Sequence, residues 1–437
     1  MIVASLRSLG GQFCAALVLT LGLTATPPAQ AEDGEISIAV VTFLSGPAAA
    51  HFGVPAREGA ETTIDALNAG AFPAPYNTPG IGGMEIVPIF VDEAGGATKQ
   101  VAEFRNLVQR RNVDIIMGYI SSGDCLAIPQ VAEELKQFTI LVDCGTPRVF
   151  EEASYQYVFR TGPHAAMDNV AIARYLLDRK PDVKTIAGLN QNYAWGQDSW
   201  NDFQGSMEVL KPGIEVVDVQ FPKLFAGQFG AEISALLSRR PDVIHSSFWG
   251  ADLEALILQG GGRGLFERSQ VVLSAGEHVL HLIGDRMPDG TFLGARGPHG
   301  PFAPESEMNT WFHNTYTERW GHVPNQGAYK YTMALLGLKT AYAKAEAVAG
   351  SAPTPEQVMQ ALTYLEWDSP SGMVKMALAD GHQAIQANAI GTSRYDEAEG
   401  RIVVDDVVYY NAECVNPPPG IKAIDWIRQG FPDAKCN

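Results

Sequence analysis

Two short loops hold the residues best suited to bind something. Gly118-Tyr119-Ile120-Ser121-Ser122-Gly123-Asp124 follows the apolar run 114–117 and leads directly into a helix-patterned segment. A hydroxyl and free backbone N–H groups at a helix N-terminus suit an anion such as a carboxylate. Asp143-Cys144-Gly145-Thr146-Pro147 follows the run 138–142 and places another hydroxyl at an equivalent edge. A Cys125–Cys144 bridge would staple the two loops together, although Ser122 and Thr146 could equally serve only as helix caps.

Other chemistries find less support. Glu277-His278 and His281 suggest a metal site, but no further ligands are spaced near them, so they read as ordinary loop residues. Gly260-Gly261-Gly262-Arg263-Gly264 follows a helical pattern and lacks the Gly-Lys-Ser/Thr ending of a phosphate loop, which makes it a helix C-cap and turn. No G-x-S-x-G nucleophile elbow is present. The adjacent acids Asp92-Glu93 and Asp405-Asp406 would point to opposite faces of a strand and read as solvated ends. An exported hydrolase or lyase would need a nucleophile and base that cannot be recognised. No catalytic residue, cofactor or metal is therefore expected.

The elements that must position these loops alternate between strand and helix. Runs at 36–43, 86–91, 114–117 and 138–142 predict strands, with helical spacing between them at Ala60, Ile64 and Leu67 and at Val101, Phe104, Leu107 and Val108. A second series follows Arg160-Thr161-Gly162-Pro163, with strands at 185–189, 214–220, 243–246 and 271–274 and helices between. Long helices return at 305–319 and 326–347, and strand-like stretches close the chain at 374–377, 387–392 and 402–409. The succession implies two α/β lobes, each a parallel sheet covered on both faces. Such sheets bind ligands beyond the carboxyl ends of their strands, where both loops fall.

Length and composition fit this plan. The 437 residues are 46% hydrophobic and 18% charged, enough for two sizeable cores. A formal charge of −18 disfavours nucleic acid or an anionic membrane as a partner. Arg7, the apolar run 15–23 and Ala29-Gln30-Ala31 form a secretory signal with cleavage after Ala31; the run is too short to span a bilayer. Its removal deletes Arg7 and no acid, so the remaining chain is one unit more negative. Export permits disulfides among Cys125, Cys144, Cys414 and Cys436. Proximity favours Cys125–Cys144 and Cys414–Cys436, although three pairings are possible. Each loop of about 20 residues would be worth about 3 kcal/mol, the second closing the tail around Pro417-Pro418-Pro419.

The arrangement resembles the periplasmic solute-binding proteins of ABC importers, in the branch of the leucine/isoleucine/valine-binding protein, over roughly residues 35–395. The resemblance rests on Ser45-Gly46-Pro47, the Gly118 to Ser122 loop, Thr146-Pro147, Tyr155 to Thr161, Tyr193-Ala194-Trp195-Gly196-Gln197 and Asp380-Gly381-His382-Gln383-Ala384-Ile385. It implies two Rossmann-like lobes joined by a three-crossover hinge, with lobe I at 35–161 and 288–370, lobe II at 162–287 and 371–410, and a tail at 411–437. It also implies roles. Ser122 and Thr146, with backbone at Ile120 and Cys144, would hold the ligand's α-carboxylate. Trp195 and Phe248 would close over it, Glu277 would receive an ammonium group, and Phe52 would make an apolar contact. Two departures stand out: Trp195 and Phe248 lack the tyrosine hydroxyl of the branched-chain binders, and Trp249 adds bulk beside them. These favour a flat or larger ligand such as an aromatic carboxylate or a small amide. Glu277 pulls toward an amino acid, which is the first expectation. The resemblance further implies a periplasmic monomer that delivers its ligand to an inner-membrane ABC permease, or that serves a sensing receptor through the same fold.

Overall fold

The computed structural model describes Met1 and residues 34–436; the expected signal at 1–31 otherwise lies outside the described residues. Among the described residues no helix is long and apolar enough to cross a membrane.

In the first lobe, strands β1 (Glu35–Thr42), β2 (Glu85–Asp92), β3 (Ile115–Gly118), β4 (Thr139–Leu141) and β5 (Val158–Arg160) pair in parallel. The second lobe holds β6 (Thr185–Leu189), β7 (Glu215–Gln220), β8 (Val243–Ser246), β9 (Gln270–Leu273) and β10 (Phe292–Gly294), also parallel. The chain returns to the first sheet for β11 (Glu366–Ser369), β12 (Gly372–Leu378) and β13 (Gln383–Gln386), then ends in the second with β14 (Asn388–Asp396) and β15 (Arg401–Tyr410). The sheet orders are β11-β12-β13-β5-β4-β3-β1-β2 and β15-β14-β10-β9-β8-β6-β7.

Alternation along β1 shows why both faces are covered. Ile36, Ile38 and Val40 enter one core with helix Gln326–Ala349, whereas Ala39 and Val41 enter another beneath helix Ser122–Leu135. A strand buried on both faces must be apolar throughout, which is how a central parallel strand reads. The edge strands β2 and β7 are half-exposed.

The crossovers fall later than the resemblance implies. β10 belongs to the second sheet, so residues 288–294 are not in lobe I, and β11 to β13 belong to the first, so 371–386 are not in lobe II. The predicted strand at 387–392 begins at the last crossover: β13 ends at Gln386 in one lobe and β14 starts at Asn388 in the other. Only Ala387 separates the two strands, and both are buried where they meet, so the sequence shows no break there.

Both proximal cysteine pairs are bridged, Cys125 to Cys144 and Cys414 to Cys436. The disulfide is not the tail's only anchor. Trp426 and Ile427 of helix Ala423–Arg428 are fully buried in the core of the second lobe, beside Trp200 and Phe203. Replacing Cys414 and Cys436 together by Ala should lower the unfolding free energy by about 3 kcal/mol, as expected for a loop of about 20 residues. Denaturant unfolding with and without reductant checks this: the difference between the two proteins should vanish under reduction, and equal stability under oxidising conditions would mean the bridge adds nothing.

Candidate ligand-binding site

The carboxyl ends of the two sheets face each other across a tight cavity of about 20 Å³, room for about one water molecule. The first lobe contributes Phe52, Ile120, Ser122, Asp143, Gly145 and Gln326; the second contributes Tyr193, Trp195, Trp249 and Ala275; Arg296 comes from the crossover after β10.

The β3 loop is shaped by an unusual backbone. Tyr119 adopts φ 65° and is buried, a strain that a non-glycine residue carries where the surroundings enforce it. Beyond it, the N–H groups of Ile120 and Ser121 donate to the carboxyl of Glu93 at 2.9 and 2.8 Å. Glu93 is fully buried rather than a solvated strand end, because these donors hold it under the loop. Burial and the neighbouring Asp124 push its carboxyl well above the usual range, and burial pushes Asp124 up to about 6. The protein's own acid thus occupies backbone donors that the resemblance offers to a ligand.

Ser122 reaches the cavity in a different role. Its Oγ accepts from the N–H groups of Gly145 and Thr146, each at 3.2 Å, which ties the two loops together. Its own proton has no acceptor among the described residues and is available at the cavity wall. Gly145 must be glycine: a Cβ there would lie 2.3 Å from the Trp195 ring. Trp195 is anchored by Nε1 donating to the carbonyl of Ser247 at 2.8 Å, and its ring lies 4.3 Å from the Arg296 guanidinium carbon. Trp249 donates through Nε1 to the Tyr193 hydroxyl at 2.6 Å, leaving the tyrosine proton free among the described residues.

Four of the eight expected contacts, Phe52, Ile120, Ser122 and Trp195, line the cavity. The others do not. The Thr146 hydroxyl donates to Asp198 Oδ2 of the second lobe at 2.6 Å. Cys144 is buried in its disulfide, and its carbonyl accepts from Arg160 Nη1 at 2.9 Å. Phe248 turns inward onto Phe229, with ring centroids 4.8 Å apart, and the next residue, Trp249, faces the cavity instead. Glu277 sits behind Gln326, its Oε2 accepting the Gln326 backbone N–H at 2.9 Å. Burial pushes its carboxyl up to about 8, so it is mainly uncharged at neutral pH.

Sequence reasoning missed Asp143, Tyr193, Gln326 and Arg296 as wall residues. Asn325 caps helix Gln326–Ala349 by accepting from Gly327 N–H, which fixes Gln326 at the first helical position. The Gln326 side chain is buried, and neither Nε2 nor Oε1 has a protein partner. Arg296 donates through Nε to Asp168 Oδ2 at 3.0 Å, through Nη1 to both the carbonyl and Oδ1 of Asp143 at 2.6 Å, and through Nη2 to the carbonyl of Pro163 at 3.0 Å. Lys330 also binds Asp143 Oδ1. Asp143 and Tyr193 stand inside two of the motifs quoted above, whereas the only signals for Gln326 and Arg296 were an Asn two positions after a His-Val pair and an arginine in a glycine-rich crossover.

The family follows from this arrangement: the model for the periplasmic binding protein family matches residues 35–398, and the chain belongs to that family. Its members are solute-binding components of transporters, not enzymes, and the fold is the type I form with two α/β lobes. A solute-binding protein from Rhodopseudomonas palustris BisB5 in complex with 3,4-dihydroxybenzoic acid superposes with a TM-score of 0.73 at 19% identity, covering 86% of this chain and 98% of that one. One from R. palustris in complex with 4-hydroxybenzoate has a TM-score of 0.73 at 17% identity, covering 86% and 97%. A leucine-binding protein from Thermotoga maritima MSB8 has a TM-score of 0.68 at 18% identity, covering 85% and 98%. No curated protein matches the chain by sequence.

Two outcomes test the site's electrostatics. A carboxyl whose pKa is higher in the folded state binds more protons there, so stability falls as pH rises from its unfolded to its folded value. Glu277→Gln should therefore remove a decline of stability between about 4.5 and about 8, read as melting temperature against pH; an unchanged profile would contradict it. Arg296→Ala should cost about 3–5 kcal/mol in denaturant unfolding, since it removes the guanidinium that two buried carboxylates share.

Proposed function

We propose that this protein is the periplasmic solute receptor of an ABC importer and that its ligand is a small aromatic monocarboxylate. The observation that carries the ligand assignment is the state of the acids around the cavity. Asp143 is the only acid lining it among the described residues, and its Oδ1 is held by Arg296 and Lys330. With Glu277 withdrawn and mainly protonated, the ammonium of an amino acid has no carboxylate to meet. Desolvating that charge without a partner would cost several kcal/mol.

What remains suits a flat anion. Phe52, Tyr193, Trp195 and Trp249 supply aromatic walls, and the hydroxyls of Ser122 and Tyr193, which accept from Gly145 and Trp249, keep protons to donate to a ligand. The Gln326 amide offers both a donor and an acceptor, which fits a ring substituent such as a hydroxyl. The benzoate-bound relatives of the fold are consistent with this reading, whereas the amino acid expected from the resemblance relied on Glu277. Signal cleavage after Ala31, release into the periplasm as a monomer, and delivery to an inner-membrane permease complete the proposal; they derive from the N-terminal pattern and from the family.

Binding follows from closure. A ligand that contacts both lobes binds the closed form better than the open one and shifts the population by that difference. In the first lobe the carboxylate meets Ser122, and Trp195 and Trp249 cover it from the second.

The test is calorimetric titration of ligand-free protein with 4-hydroxybenzoate, benzoate and L-leucine. Either benzoate should bind, with quenching of tryptophan fluorescence, and leucine should not; tight leucine binding without benzoate binding would overturn the assignment. Gln326→Met should weaken 4-hydroxybenzoate by about tenfold while leaving the free protein at least as stable, because it replaces a buried amide that lacks a protein partner. A loss of stability with no loss of affinity would show that the amide serves the fold and not the ligand.

A further inference from the structure

A second cavity of about 220 Å³ lies between the first lobe and the C-terminal tail. Its walls include Phe150, Glu151, Arg160, His164, Ile421 and Lys422. The tail segment belongs structurally to the second lobe, through Trp426 and Ile427, yet Ala423 N–H donates to Glu151 Oε1 of the first at 2.7 Å. The cavity is therefore walled by both lobes and by the first crossover.

Arg160 stands at its floor. The guanidinium is fully buried: Nε donates to Gln383 Oε1, and Nη1 to the carbonyls of Cys144 and Thr146. Its Nη2 has no partner among the described residues, so two N–H donors remain. His164 is buried on the same wall, and its Nδ1 is unpartnered. Burial, with Arg160 and Arg296 nearby, holds His164 down to about 3, so it is a neutral polar group. Lys422 is exposed at the mouth. Two cations then face one carboxylate, Glu151, whose Oε1 is already engaged by the tail. The remaining walls are apolar, with Phe150 below the guanidinium at 5.6 Å and Ile421 opposite.

We propose that this cavity is a second ligand site, separate from the cleft, that takes a small aliphatic or aromatic monocarboxylate. The carboxylate faces Arg160 and Lys422, and the apolar part lies against Phe150 and Ile421. The two lining cations outnumber the one lining carboxylate, which favours a monoanion, and Arg160 supplies its hydrogen bonds. Arg160 also holds the carbonyls beside Gly145, so the site shares a residue with the loop that lines the cleft.

The probe is butyrate, titrated into the full exported protein labelled with ¹⁵N. Saturable shifts should appear at the amides of Gly420 and Ala423. Lys422→Glu, at an exposed position, should weaken them about tenfold or more, and Ile421→Trp should abolish them by filling the cavity; n-butylamine should produce none. Shifts confined to Ile120 and Gly145 would place butyrate in the cleft and overturn the proposal. So would the absence of saturable shifts, equal shifts with n-butylamine, or a Lys422→Glu protein that titrates like the parent.

Discussion

Everything in the hinge depends on one buried guanidinium. Arg296 lies in the second crossover and reaches the first through the carbonyl of Pro163, the first lobe through Asp143, and the helix opening the second lobe through Asp168. Asn388, at the third crossover, accepts from Gly297 N–H and donates to Asp168 Oδ1, which ties the last strand switch into the same knot. A charge this deep is tolerable only when its donors are matched, and here the matching groups come from segments more than a hundred residues apart. The knot fixes where the lobes pivot and, through the Trp195 ring above the guanidinium, where the cavity wall stands.

Closure itself rests on weaker bonds spread around that pivot. Ala251 N–H donates to the carbonyl of Pro47, Thr146 to Asp198, Gln326 N–H to Glu277, and His51 Nε2 meets Glu254 at 2.7 Å. Each net contribution is about 1 kcal/mol, so together they can balance the entropy of opening without locking the lobes. On the proposed receptor role, that division would let a ligand decide between open and closed forms while the knot preserves the axis.

The sheets were legible because a strand buried on both faces must be largely apolar, as the runs of β1, β3, β6 and β8 are. The carboxyl-end loops followed from them, and with them Ser122 and Trp195. Legibility failed where the answer depended on one residue of phase or on a partner distant in sequence. Phe248 and Trp249 are adjacent aromatics, and only the packing of Phe229 decides which one turns inward. Glu277 reads as a ligand acid until the N-terminus of helix Gln326–Ala349 is brought against it from the other lobe. Glu93 reads as a surface acid because the N–H groups that bury it belong to a loop 27 residues on. The switch from β13 to β14 across Ala387 carries no sequence mark, since both strands are buried and no turn residue separates them.

The acidic surface and the anion reading of the cleft can now be reconciled. Arg296 and Lys330 balance Asp143 and Asp168, and Glu277 carries little charge near neutrality, so the ground beneath the cavity is close to neutral although the chain is at −18. Surface charge is screened beyond about 10 Å in salt, whereas groups at the wall act at contact distance without intervening water. What a ligand meets is an array of oriented protons from Ser122, Tyr193 and Gln326 beside a guanidinium. On the proposed reading, a monoanion would gain from every one of these, whereas the ammonium of a zwitterion would lose water without a free carboxylate at the wall to meet it. The same reasoning explains why the aromatic side chains matter beyond their area: they exclude water from the donors, and it is that exclusion that makes a few hydroxyls and one amide sufficient to hold a charge inside an acidic protein.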